Sequence, residues 1–177
     1  MSLLSREDVL GFLGADDEIP GAIRWAEYHG LMHAWDEARL TFKVWLEGGR
    51  TESGTEQYLL QGSFDDYPAL PPSWRFLDPR TGEDIGRAAY PAAGPFQSGT
   101  VLHSNAVICA PWNRLAYGDK GGPHGDWAQP AQWRQLAPSH TRAATIPEML
   151  ARLRAEVAIS AGRLGPLPAL NEPEVAR

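Results

Sequence analysis

The single cysteine of the chain, Cys109, lies within the stretch HSNAVICAPWNR (residues 103–114). A free thiol is partly ionised near neutral pH, and its thiolate can attack a high-energy thioester without a dedicated base. Polar residues precede Cys109 and APWNR follows it, so we expect the cysteine at the end of a strand, where functional side chains often lie. A purely structural role is the alternative, because free cysteine is among the residue types most often buried in proteins.

Two asparagines near the cysteine, Asn105 and Asn113, are candidates for stabilising a reaction intermediate. When an amine attacks a thioester, negative charge develops on the carbonyl oxygen, and a side-chain amide beside that oxygen raises the rate about 100- to 1000-fold. Asparagine also caps turns, and each of the two residues fits that structural role as well.

The segment GGPHGDW contains His124 and Asp126, which form a candidate acid–base pair. A histidine oriented by a carboxylate is the usual general base near neutral pH, so the two residues would serve Cys109 if the fold brings them together. In the competing interpretation the segment is a glycine-rich turn, with Asp126 accepting backbone hydrogen bonds and Trp127 anchoring the loop in the core. The sequence leaves both interpretations open.

A metal site is a third possibility for the same part of the chain. Its ligands would be His103, Cys109 and His124 with either Asp126 or His140. Structural zinc sites usually carry closely spaced ligand pairs, and the sequence contains no such pair. His29 and His33 would share a helix face, but no acidic motif lies between them, so we expect no metal and no cofactor.

The elements that must position these side chains follow from periodicity and turn signals. Ser5 is a helix N-cap before apolar residues that end at Gly14, and residues 20–31 are predicted to form one or two helical turns. Four strands are predicted from alternating or continuous apolar residues, and the first two of them should pair as a hairpin. The strands lie in the segments ARLTFKVWLEGG, QYLLQGSF, PPSWRFLDP and NAVICA.

The clearest helix is the last one, in TIPEMLARLRAEVAISAGRLG, because Thr145 and Glu148 form a capping box. Apolar residues follow at helical spacing as far as Leu164, and Gly162 or Gly165 would end the helix. The order of helix, hairpin, further strands and helix predicts an α+β fold with a four-stranded antiparallel sheet.

Two segments, 80–100 and 110–144, lack periodicity and are predicted to be long loops. We expect the first to lie on the surface and the second to carry function, since long loops inside a domain usually do. The remaining pattern indicates a single domain over residues 1–165 and a flexible C-terminal tail over residues 166–177.

The composition narrows the functional classes. The 177 residues suffice for one domain with a buried core, and a net charge of -6 argues against binding to nucleic acid, which requires many cations facing phosphates. Apolar runs are far shorter than the roughly 20 residues that span a bilayer, and the start MSLLSREDVL lacks the apolar core of a signal peptide. We expect a cytoplasmic protein that binds neither nucleic acid nor membranes.

The segment YPALPPSWRF (residues 67–76) contains Tyr-Pro, then Pro-Pro after two residues, then an aromatic residue, with Phe64 just upstream. In this segment the chain resembles the ubiquitin-conjugating enzyme family. The resemblance extends, from about residue 5 to residue 162, to the order of helix, hairpin, proline-rich turn, strand, Ile-Cys pair, tryptophan-containing loop and helix. The pair Ile108–Cys109 matches the position of that family's active cysteine.

The resemblance implies a ubiquitin-conjugating (UBC-like) fold and a cysteine, Cys109, that carries a ubiquitin-like modifier as a thioester. It also implies an activating (adenylating) enzyme and a protein substrate as partners. In the family a His-Pro-Asn motif precedes the cysteine, and its asparagine supports the oxyanion. Here His103 and Asn105 match, but Ser104 replaces the proline and Asn105 lies closer to the cysteine. The loops on both sides of Cys109 are longer than in the family, as in divergent bacterial members.

The candidate site therefore contains catalytic and partner-binding residues. The catalytic candidates are Cys109, Asn105, His124 and Asp126, and the candidates for partner contact are Trp112, Asn113 and Trp127. Two other functions stay open. A module of the same fold could bind a ubiquitin-like partner without catalysis, and a Cys-His hydrolase or acyltransferase could use Cys109 and His124 without an activating enzyme.

Overall fold

Helix α1 (Arg6–Leu13) begins where the Ser5 hydroxyl accepts a hydrogen bond from the Asp8 amide, and it ends at Gly14, as the sequence predicts. The structure is a computed structural model, which describes residues 2–95, 99–127, 129–136 and 142–170. Helix α2 (Ile19–Tyr28) has a proline in its first turn and buries one apolar face. It covers most of the segment in which helical turns are predicted.

Four antiparallel strands form the main sheet in the order β1-β2-β3-β4, so each strand pairs with its neighbour in the sequence. They are β1 (His33–Asp36), β2 (Thr41–Thr51), β3 (Gly54–Ser63) and β4 (Ser73–Leu77). The predicted hairpin is present between β2 and β3, with Val44 opposite Leu60. The α+β class and the four-stranded antiparallel sheet are confirmed.

The prediction is wrong for one strand of that sheet. The segment NAVICA forms β6 (Val107–Ile108), which pairs with β5 (Leu102–His103) in a separate hairpin, while β1 occupies the edge of the main sheet. Strand β1 has only four residues, HAWD, and an alternation this short gives no clear signal in the sequence. His29 caps α2 and His33 lies in β1, so these two histidines do not share a helix face.

Helix α3 (Ile146–Ala158) packs against β2 and α2. Its predicted capping box is present, with the Thr145 hydroxyl accepting the Glu148 N–H and the Glu148 carboxylate accepting the Thr145 N–H. The apolar faces of the sheet and of this helix form the core. The core residues on these faces include Phe42, Val44, Leu46, Leu60, Trp74, Phe76, Ile146, Met149, Leu150, Leu153 and Val157.

Helix α3 ends earlier than predicted, because the chain beyond Ala158 bonds to residues 90–92. The Ser160 hydroxyl donates to the Ala92 carbonyl at 2.6 Å, and the Leu164 N–H donates to the Tyr90 carbonyl at 2.9 Å. These tertiary hydrogen bonds replace helical ones, so Leu164 lies outside the helix.

Each of the two predicted loops has a part that is packed into the domain. Residues 86–89 form a 3₁₀ turn, and Tyr90 is buried against the Phe76 ring at a centroid distance of 5.4 Å. Trp112 and Tyr117, after the cysteine, are fully buried. The surface prediction, which concerns residues 80–100 alone, is wrong at residues 89–91, which are buried, and Tyr90 packs there on the Phe76 ring.

Parts of the predicted loops and tail, at residues 96–98, 128, 137–141 and 171–177, lie outside the described residues. Residues 166–170 are described, and the Pro168 carbonyl accepts a hydrogen bond from Arg80 at 2.9 Å. Among the described residues, no helix has both the length and the apolar character needed to cross a membrane.

Gly62 tests the packing between β3 and β4. A Cβ at this position would lie 2.7 Å from Trp74 and 2.9 Å from Phe64, and both rings are fully buried. We expect Gly62→Ala to lower the free energy of unfolding by about 1–3 kcal/mol, because the rings have no space to move into. In the control Gly11→Ala the new Cβ meets no atom within 4 Å, and helix propensity predicts a gain of roughly 0.5–1 kcal/mol. Urea unfolding compares the two variants, and equal effects would contradict this packing.

Candidate active site

Cys109 follows strand β6 directly, and its backbone N–H donates a 2.7 Å hydrogen bond to the Val101 carbonyl. Val101 is in turn fixed by α3, because the buried carboxylate of Glu156 accepts the Val101 N–H at 3.0 and 3.1 Å. The cysteine itself is half-buried. The thiol therefore sits at a strand end, on backbone that the last helix holds in place.

The proline-rich turn between β3 and β4 holds the loop that follows the cysteine. The Pro72 carbonyl accepts the Arg114 N–H at 2.8 Å, and the Pro68 carbonyl accepts the Trp133 indole N–H at 3.2 Å. The Tyr67 hydroxyl donates to a buried glutamate at 2.6 Å. Because proline fixes φ, the turn presents these carbonyl groups in a rigid arrangement.

The loop after the cysteine brings His124 against the thiol. His124 Nε2 lies 2.7 Å from Cys109 Sγ, and His124 Nδ1 lies 3.3 Å from Asp126 Oδ1. In this line of thiol, imidazole and carboxylate, the carboxylate can orient the ring and the ring can accept the thiol proton. Three of the residues that the sequence nominates for catalysis are thus adjacent in the structure.

Backbone hydrogen bonds and a tryptophan hold His124 in place. Its N–H donates to the Ala116 carbonyl at 3.1 Å, and its carbonyl accepts the Gly118 N–H at 3.0 Å. Trp127 stacks on the imidazole with ring centroids 3.6 Å apart and planes 5° apart. The chain before His124 approaches so closely that a Cβ at Gly122 would lie 2.2 Å from the Ala116 carbonyl carbon. Trp127 therefore packs on the candidate base, whereas the sequence nominates it for partner contact.

Two effects raise the pKa of the Cys109 thiol. Burial raises its pKa above the ordinary value, because the thiolate is poorly solvated there, and the negative charge of Asp126 raises the pKa further. Loss of the thiol proton is therefore made easier by a nearby acceptor, and His124 Nε2 is in contact with the sulfur. The contacts at the two ring nitrogens favour the tautomer that carries its proton on Nδ1, facing Asp126.

Asn113 has a structural role beside the cysteine. It is fully buried, its Nδ2 donates to the Ile108 carbonyl at 2.8 Å, and its Oδ1 accepts the N–H of Trp74 at 2.8 Å and of Leu115 at 3.3 Å. The side chain therefore ties β6 to β4. Trp112 is buried as well, and the burial of both residues does not fit their predicted role in partner contact.

Asn105 lies in the exposed turn between β5 and β6, where its Oδ1 is 2.6 Å from His103 Nδ1. The hydrogen bonds of Cys109 within the described residues run to Val101 and His124. The structure therefore does not bring the amide predicted to support the oxyanion into contact with the thiol.

In the described parts of the chain, no three histidine, cysteine, aspartate or glutamate side chains are grouped so that they could hold a metal ion. Among the ligands considered from the sequence, His103 contacts Asn105, and His140 lies outside the described residues. Cys109 and His124 contact each other directly.

Glu156 is a positioning residue that the sequence patterns do not nominate. It reaches Cys109 through Val101, a contact between segments 55 residues apart. One signal is present in the sequence, because Glu156 is an acidic residue on the helix face that Leu153 and Val157 make apolar. No pattern in the sequence indicates that Trp127 stacks on His124.

No protein-family model, curated protein or solved structure matches this chain. Its chemistry must therefore be inferred from the arrangement of its own side chains. The contacts of Cys109 with His124 and of His124 with Asp126 indicate that chemistry most directly.

Asn113→Ala and Asn105→Ala separate a structural amide from an exposed one. Removing the Asn113 side chain leaves the Trp74 N–H buried without its partner and takes one donor from the Ile108 carbonyl, so it should lower the free energy of unfolding by about 1–3 kcal/mol. Asn105→Ala should change it by less than about 0.5 kcal/mol, because that residue is exposed. Chemical denaturation measures the free energy of unfolding of both variants. An Asn113→Ala protein with the wild-type free energy of unfolding would contradict the structural role.

Asp126→Asn tests the electrostatics of the thiol. Removing the negative charge should lower the Cys109 pKa, so the pH profile of its alkylation by iodoacetamide should shift to lower pH. Intact-mass measurements over a pH series follow the reaction, and Asp36→Asn in β1 is the control that should leave the profile unchanged. A shift of the Asp126→Asn profile to higher pH would instead indicate a thiolate–imidazolium pair that the carboxylate supports.

Proposed function

We propose that this protein is a ubiquitin-conjugating-like acyltransferase, which carries a ubiquitin-like modifier as a thioester on Cys109 and passes it to an acceptor nucleophile. The observation that supports the chemistry is the 2.7 Å contact between Cys109 Sγ and His124 Nε2, with Asp126 on the other side of the ring. The order of helix, antiparallel sheet, proline-rich turn, cysteine and helix supports the UBC-like fold.

In the first step Cys109 Sγ attacks the carbonyl carbon of an incoming thioester, such as one formed on an activating enzyme. The thiol proton passes to His124 Nε2 as the new bond from sulfur to carbon forms. The bond from that carbon to the donor sulfur then breaks, and the donor thiolate takes the proton from the imidazolium. One thioester is exchanged for another, so the step needs no oxidant or reductant.

In the second step an amine or another nucleophile attacks the thioester carbonyl carbon on Cys109. The bond from the nucleophile to carbon forms and the bond from carbon to sulfur breaks. His124 accepts the proton that the nucleophile loses and returns it to the Cys109 sulfur, which restores the resting site. Asp126 keeps the ring oriented during both transfers, because it contacts the nitrogen that does not exchange the proton.

The carboxylate beside the imidazole also favours a second candidate function, a Cys-His hydrolase or acyltransferase that acts alone. In the hydrolase, water attacks an acyl group on Cys109, and His124 takes the proton of that water. This enzyme requires neither an activating enzyme nor ATP. The two functions therefore differ in the acyl donor that the protein can use.

Acyl transfer to the folded protein tests the proposal. The donor is a peptide with a C-terminal thioester of 2-mercaptoethanesulfonate, and intact mass reports the product. We expect one peptide to be added to Cys109, excess thiol to remove it, and Cys109→Ser to give no thiol-labile adduct. Absence of an adduct on the wild-type protein, where a free cysteine-containing peptide is acylated, would contradict the proposal.

His124→Ala separates the two candidate functions. Charging of Cys109 by an activating enzyme with a ubiquitin-like protein and ATP should be slower but persist, since the activated donor needs only the thiolate. Ester hydrolysis by a Cys-His hydrolase should instead fall by about 100-fold or more, because it loses its general base. His29→Ala, at the end of α2, is the matched control and should leave both reactions unchanged.

A further inference from the structure

A cavity of about 290 Å³ is lined by chain neighbours of Cys109 and His124, although neither of these two residues lines it. Its lining includes Val107, two residues before Cys109, and Pro123, the immediate neighbour of His124. Because consecutive Cα atoms are about 3.8 Å apart, each of these walls begins within roughly 8 Å of the backbone of a reacting residue.

The lining of this cavity carries more positive than negative charge. Arg75 and Lys120 contribute two cations, and Asp84 contributes one carboxylate. Asp84 lies 3.6 Å from the Arg75 guanidinium, and Arg75 Nε is buried without a hydrogen-bond partner among the described residues. Lys120 is exposed and forms no ion pair within the described part of the chain. Asn105 adds a carboxamide to the wall.

These groups suit a ligand with several negatively charged oxygens. The Arg75 side chain is partly exposed, and its guanidinium can donate charge-assisted hydrogen bonds to an anion in the cavity. The ammonium group of Lys120 can add a charge-assisted hydrogen bond to the same anion. The chain as a whole has a net charge of -6, so this local excess of cations departs from the average of its surface.

We propose that the cavity binds a carboxylate or phosphate group carried by the acyl acceptor, and so places the acceptor's nucleophile at the Cys109 thioester. This inference rests on the proposed function and adds the chemical class of the acceptor. The acyl group on Cys109 is already held by a covalent bond, whereas a free acceptor needs a binding site of its own. A site lined by the chain neighbours of both Cys109 and His124 would place that acceptor where His124 can take its proton.

Anion binding is measured first on the uncharged protein. Inorganic phosphate and acetate are titrated while ¹H–¹⁵N spectra report the Gly121 and Gly122 amides, which line the cavity. We expect saturable shifts at these amides, with affinity about fivefold or more weaker in Lys120→Gln and in Arg75→Gln. Lys43→Gln is the matched control, because Lys43 is the only other lysine and lies on β2 outside this cavity. Unsaturable shifts, or equal weakening in Lys43→Gln, would overturn the site.

Acceptor preference is measured next on protein carrying the peptide thioester on Cys109. Two pairs of amines are compared at equal concentrations of free amine: 4-aminobutyrate with 4-aminobutanamide, and O-phosphoethanolamine with ethanolamine. We expect the anionic member of at least one pair to discharge the thioester about fivefold or more faster, and Lys120→Gln to remove the preference. The pair that shows the preference distinguishes carboxylate from phosphate.

Equal discharge rates within both pairs would overturn this inference while leaving the thioester on Cys109 in place. Failure to form the thioester at all is a different result, because it overturns the proposed function before any acceptor is added. The phosphate and acetate titrations need no thioester and report on the cavity in either case.

Discussion

The contact between the Cys109 thiol and the His124 imidazole joins segments 15 residues apart, and its geometry depends on how each segment is held. Cys109 is fixed through Val101, whose own N–H is bound by Glu156 of α3. His124 is fixed by backbone hydrogen bonds in the loop and by the stacked ring of Trp127. Neither side chain lies inside a regular element, so tertiary hydrogen bonds and packing must supply the rigidity that the proposed catalysis requires.

Two buried glutamates connect the elements around this contact. Glu18 accepts hydrogen bonds from the Tyr67 hydroxyl and the Ile146 N–H, and it thereby links α2, the proline-rich turn and α3. Burial raises the pKa of its carboxyl group, while these hydrogen bonds act in the opposite direction. Glu156 links α3 to Val101, directly before β5, and pairs with Arg152 at 2.7 Å. A buried carboxylate is tolerated only where several donors surround it, so both residues constrain the fold strongly.

The parts of the fold that the sequence predicts are those with local signals. The caps at Ser5 and Thr145 and the alternation in the central hairpin depend on neighbours along the chain, and these predictions are confirmed. The edge strand β1 is too short to give a clear alternation, while the end of α3 and the burial of Tyr90 depend on partners distant in sequence, so none of the three could be predicted. In the candidate site, too, local signals are visible in the sequence and contacts between separate segments are not. The sequence names His124 as a candidate base, but only the folded loop places it against Cys109. Asn113 is a candidate for stabilising a reaction intermediate, but in the structure its side-chain amide is engaged in buried hydrogen bonds.

The central claim is that His124 removes the proton from Cys109 as the sulfur attacks an acyl donor. The solvent isotope effect on acylation of Cys109 by the peptide thioester tests it most directly, because a proton in transfer slows the reaction in D₂O and a preformed thiolate does not. We expect wild-type acylation to be slower in D₂O than in H₂O, and this difference to disappear in His124→Ala. Equal rates in the two solvents for the wild-type protein, or an unchanged effect in the variant, would contradict the claim.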